Sequence, residues 1–137
     1  MIPNPGKALR DLAGHLAMSL APQIPNAFGA TNAGLISLLL TLLADEAESG
    51  ISRRMTDGAE LRALFETAGH APGQDARERF LGSEPADFSH QAVSTWLDEG
   101  MRLLIDLHAW AELEDVALNR RIWDFLYDHT ERYKADM

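Results

Sequence analysis

The chain has 137 residues, 21 of them acidic and 12 basic, for a formal net charge of −9, and it contains no cysteine. That length suits one domain, residues 1–137, able to bury a core without a disulfide or structural metal; the missing thiols exclude disulfide scaffolds, thiolate zinc sites and cysteine nucleophiles. Its basic residues cluster only as pairs, Arg53-Arg54 and Arg120-Arg121, so it lacks the cationic face that nucleic acid or an anionic membrane requires.

No run alternates β-branched or aromatic residues for long enough to make a strand, so the chain reads as all-α. The first predicted helix runs from Pro5 to Ala21. Pro5 suits a first helical position, Leu9, Leu12, Leu16 and Leu20 form one stripe, and Pro22 and Pro25 end it. Lys7 and Arg10 before an apolar stretch loosely resemble a secretion signal, but Asp11 and His15 interrupt it and Pro22 follows the one small-residue site. A cytoplasmic protein is expected.

The second predicted helix, Ala27 to Ser49, holds the most apolar run of the chain, Ala33 to Ala44. On a helical wheel Phe28, Leu35, Leu38, Leu39, Leu42 and Leu43 cover one side. Ile36 and Leu40 extend it, and Ser37, Thr41 and Glu48 leave a narrow polar strip. A helix apolar over most of its circumference is expected to be buried on most sides, as the central helix of a core. Asp45-Glu46 ends the run short of the roughly 20 residues that a membrane span needs.

Gly50 reads as its stop, and Asp57 with Glu60 has the spacing of a capping box that starts a third helix closed by Gly69. Residues 70–87 read as an irregular connection with one short helical piece, Ala76 to Leu81. The fourth helix, Phe88 to Glu112, carries a seam of Val93, Leu97, Gly100, Leu104, Leu107 and Ala111. A second line, Trp96, Leu103 and Trp110, follows at heptad spacing. This apolar arc is wider than docking on one core requires. The edge made by Trp96, Leu103 and Trp110 is therefore predicted to be the interface of a homodimer. The competing assignment lets Phe80-Leu81 of the irregular segment fold back over it. A break near Leu113 lets Asp115 cap a fifth helix. Four long helices and a shorter one predict an antiparallel helical bundle.

Three polar residues fall on apolar faces: Glu46 on the line of Leu35, Leu39 and Leu42, His129 among Ile122, Phe125 and Tyr133, and His108 beside Leu104 and Ala111. Each must be paired if it is buried. With Glu112, one turn beyond His108, they could form a carboxylate–imidazole site for a divalent transition metal or a substrate. This pattern resembles the ferritin-like di-metal bundles in architecture only. The Glu-x-x-His motif of that family does not occur, and Asp87-Phe-Ser-His90 is its one weak analogue. No nucleophile elbow or phosphate loop is present. The favoured expectation is a non-enzymatic bundle that self-associates and binds a protein partner or a small apolar ligand, with no cofactor implied. A metal- or substrate-binding bundle is the alternative.

Overall fold

Asn4 opens α1 (Pro5–His15) by accepting a hydrogen bond from the Lys7 N–H at 3.0 Å, and Pro5 occupies the first turn, where its missing N–H costs nothing. In this computed structural model, which describes residues 2–135, the chain then widens into a π turn over Leu16–Leu20 and tightens into a 3-10 turn at Ala21–Gln23. It reverses into α2 (Ala27–Thr67), where the Asn26 side chain accepts from the Gly29 N–H at 2.6 Å. The remaining elements are α3 (Gln74–Leu81), α4 (His90–Glu114) and α5 (Val116–Arg132). Every regular element among the described residues is helical.

α2 is one helix of 41 residues, about 60 Å long at 1.5 Å per residue. The stop expected at Gly50 and the start expected at Asp57 do not occur. No proline lies between Pro25 and Pro72 to interrupt the hydrogen-bond ladder. A single interior glycine costs a helix only about 1 kcal/mol against alanine. The helix ends near Gly69, as expected, and Gly69 (φ 58°) and Gly73 (φ 84°) turn the chain in the left-handed region. Arg77, 3% exposed, donates to the carbonyls of Ala71 at 2.8 Å and Pro72 at 2.6 Å, which satisfies buried acceptors of this turn. The break before α5 falls where Asp115 predicts it: its carboxylate accepts from the Leu118 N–H at 3.0 Å.

The chain divides into two compact units, one up to Gly50 and one from Ile51. In the first, α1 lies along the beginning of α2 through small residues: Gly6, Ala13, Ala33 and Ala44 are buried. The Ser37 hydroxyl donates to the Ala13 carbonyl at 2.9 Å, and a Cβ on Gly6 would meet the Glu48 side chain at 2.4 Å. Arg10 grips the Glu48 carboxylate with two hydrogen bonds, at 2.9 and 3.2 Å. α1 therefore occupies the small and polar strip of α2. The leucines expected in the core instead face outward, with Phe28, Leu35, Ile36, Leu38, Leu39, Leu42 and Leu43 between 38% and 78% exposed.

The second unit has an ordinary core. Leu61, Phe80, Leu104, Leu107 and Ile122 are fully buried. Phe80 of α3 stacks on Trp96 at 5.2 Å between ring centroids and meets Phe65 edge-on at 5.7 Å. Trp96 Nε1–H donates to Ser83 Oγ at 3.0 Å, and the ring lies over Gly58 so closely that a Cβ there would be 2.2 Å from it. The ring is pinned on the other side by Phe80 and cannot yield cheaply. Gly58→Ala should lower the melting temperature despite its better helix propensity. Overpacking of about 1–3 kcal/mol outweighs the gain of about 1 kcal/mol. Thermal unfolding by circular dichroism checks this; an unchanged or raised midpoint contradicts the close approach.

Candidate interaction surface

The outward face of the first unit is the least ordinary surface of the molecule. Phe28 (78% exposed), Leu35 (54%), Leu39 (58%) and Leu43 (54%) are the most open large side chains of α2, and Leu12 of α1 and Met18 and Leu20 of the π turn are exposed as well. Monomers rarely carry contiguous apolar patches beyond about 300–600 Å². Ala27–Thr67 is also the one helix among the described residues long and apolar enough to cross a membrane by length and composition, with 11% of its most apolar window buried.

The four residues expected to form a site are divided between the two units. Glu46 is half-buried in the first unit; His108, Glu112 and His129 belong to the second. His108 packs edge-on against Trp123 at 5.3 Å, and its Nε2 lies 3.4 Å from a carboxylate oxygen of exposed Glu112. No group of three or more His, Asp or Glu placed to hold a metal occurs among the described residues. His129 instead meets Asp57, with Nδ1 2.9 Å from Oδ2.

Asp57 is the residue that the sequence reading misplaced. It caps no helix; it lies inside α2, 0% exposed, facing the last turn of α5. Besides His129, Arg132 donates to its other oxygen and reaches Glu60 Oε1 at 2.6 Å. Tyr133 completes the set. Burial, followed by its hydrogen bond to Asp57 and that carboxylate's charge, pushes the Tyr133 phenol well above its ordinary pKa. Arg53 sits over the Tyr133 ring at 5.5 Å. His129, Arg132 and Tyr133 share one face at helical spacing. That was the available signal, since an arginine and a histidine on an apolar face need an acid opposite. All these groups are paired, so the cluster fixes structure and leaves no open ligand position on Asp57.

The tryptophan edge is also accounted for inside the chain. Trp96 is 6% exposed beneath Phe80 and the Arg62 guanidinium, which lies 5.1 Å from its ring; Leu103 and Trp110 are half-buried against the same core. Phe80 of the connecting segment thus lies over Trp96, as the competing assignment has it, while Leu103 and Trp110 keep part of their surface exposed. Beside Trp96 an open groove of about 510 Å³ has a mixed lining that includes Ser83, Pro85, Ala86, Asp87, Ala92 and Trp96. Comparison of the chain with protein-family models, with curated proteins and with solved structures returns no match.

Two outcomes test the Asp57 cluster. Asp57→Asn leaves Arg132 without its buried counter-charge and should cost about 3 kcal/mol or more in denaturant unfolding. Tyr133 stays protonated in the folded chain at a pH where the unfolded phenol ionises. Its contribution is therefore complete below about pH 10 and is lost as pH rises beyond that. Tyr133→Phe should flatten the fall in stability above pH 10 relative to the parent; identical slopes would show that folding does not raise the Tyr133 phenol.

Proposed function

We propose that the chain is a non-enzymatic, cytoplasmic helical protein that acts by self-association through the apolar face of its first unit. In this reading it is a homodimer whose α1 and α2 helices pack with those of a second copy to complete an antiparallel bundle. The single observation that carries it is the outward exposure of Phe28, Leu35, Leu39, Leu42 and Leu43 on one side of α2. A specific protein interface needs about 800 Å² from each partner, with an apolar centre and a polar rim. A row of five large apolar side chains on the side of α2 away from α1 supplies such an apolar centre. Two-fold pairing is the commonest closed symmetry and lets one patch cover its own copy.

Native mass measured across a dilution series tests this reading. The parent should be a dimer that dissociates only at low concentration. Leu39→Asp should be a monomer at concentrations where the parent is dimeric, with the melting of the second unit retained, because Leu39 is 58% exposed in the single chain. A parent that is monomeric at every concentration overturns the proposal.

A further inference from the structure

Resting on that reading for the protein in water, we infer that the first unit exchanges its second copy for a neutral lipid surface, and that the tip of its hairpin, residues 12–37, inserts into one leaflet. The hairpin is small inside and large and apolar outside, which is how helices pack against each other in lipid. Ala13 and Ala33 are buried in it, and the Ser37 hydroxyl donates across the helices to the Ala13 carbonyl. Leu12, Met18, Leu20, Phe28, Leu35 and Ile36 are exposed around it.

The placement of charge sets the depth. No Asp, Glu, Lys or Arg occurs between Asp11 and Asp45. The bond between Ser37 and Ala13 fixes where that gap lies on both helices. Lys7, Arg10 and Asp11 precede Ala13, so the charges of both helices gather at the end away from the turn. Lys7 pairs there with Asp11 at 2.7 Å, and Arg10 with Glu48 at 2.9 Å. From Ala27 to Ser37, α2 rises about 16 Å at 1.5 Å per residue, against about 15 Å for half of a bilayer's hydrocarbon core. The uncharged tip is thus one leaflet deep. His15 is its one titratable side chain, and it lies within a turn of Ala13, toward the headgroups.

A chain that turns inside lipid must satisfy its own backbone. Pro22 and Pro25 bring no N–H to this turn. The Ile24 N–H donates to the Ala21 carbonyl at 3.1 Å, and the Gln23 side-chain amide donates to the Ser19 carbonyl at 2.8 Å. The Asn26 side chain accepts from the Gly29 N–H. Both amide side chains of the turn are therefore engaged by the backbone. The net charge of −9 opposes an anionic surface, so the lipid is neutral. Lipid and a second copy cover the same side chains, and they compete by mass action.

Flotation with phosphatidylcholine vesicles, read beside native mass in their absence, tests this. The parent, dimeric in water, should rise with the vesicles. Ala27→Asp places a charge at the tip. Ala27 is exposed, lies outside the leucine row and starts α2, where the helix dipole favours an acid. Its helicity and dimer should persist while the floated fraction falls by about tenfold or more. The chain has no cysteine, so Phe28→Cys and Lys7→Cys can each carry a single environment-sensitive fluorophore. Lipids brominated on their acyl chains should quench the label at residue 28 and leave the label at residue 7 bright. Equal quenching at both positions, or equal flotation of Ala27→Asp and the parent, overturns insertion of the tip. Flotation with phosphatidylglycerol alone overturns the neutral surface. A parent that stays dimeric and never floats overturns the inference and leaves self-association standing. A parent that floats but is monomeric at every concentration overturns self-association and supports insertion.

Discussion

A carboxylate with no access to water cannot remain charged without close partners, and Asp57 has none of its surface exposed. The second unit is arranged around this requirement. The partners come from one turn of α5, where His129, Arg132 and Tyr133 project together, so α5 must lie on α2 in one register. The same face of α5 supplies Leu118, Ile122 and Phe125 to the core. One stripe therefore changes from apolar at its beginning to ionic at its end. The Arg132 guanidinium sits at the C-terminal end of the helix, where its dipole also favours a positive charge. Glu60, one turn beyond Asp57, takes the free end of the Arg132 guanidinium and keeps that side chain from swinging to solvent.

How much of this was legible in the sequence depended on whether a signal was local. The cap at Asp115, the turn at Gly69, the start of α4 near Phe88 and the short helix around Phe80 depend on neighbours within a few residues, and these readings agree with the structure to within a residue or two. Asp57 and Glu60 have the spacing of a capping box, but the same spacing also places two acids on one helical face. Arg132, 72 residues beyond Glu60, decides which use is made of it, and no local rule contains that information. The covering of Trp96 was likewise open between a second copy and Phe80 until the path of residues 70–87 was known. The candidate set of Glu46, His108, Glu112 and His129 assumed that polar residues on apolar faces seek one another. In the structure His129 pairs with Asp57, an acid that the set did not contain.

The leucine run shows a different kind of miss. Its apolarity was plain, and burial was inferred from it. The side that docks was decided by size instead. Gly6 and Ala13 let α1 approach closely, and the matching surface on α2 is Ala33, Ser37 and Ala44. Close backbone approach and the Arg10–Glu48 fork hold the two helices together while removing little hydrocarbon from water. The first unit is inverted relative to the second: small residues inside and large ones outside. The hydrophobic term that would dominate an ordinary core is mostly unspent there until another surface arrives.

Gly58 and Trp96 carry a consequence for how this sequence can change over time. The indole fills the space that a side chain at residue 58 would need, and Phe80 and Ser83 hold it there. Enlarging residue 58 is tolerable only beside a smaller residue 96, and shrinking residue 96 first opens a void under Phe80. Either order passes through a less stable intermediate. Among homologues the two positions should therefore be found changed together or not at all, and a glycine opposite a tryptophan at this crossing would be a recognisable mark of the second unit.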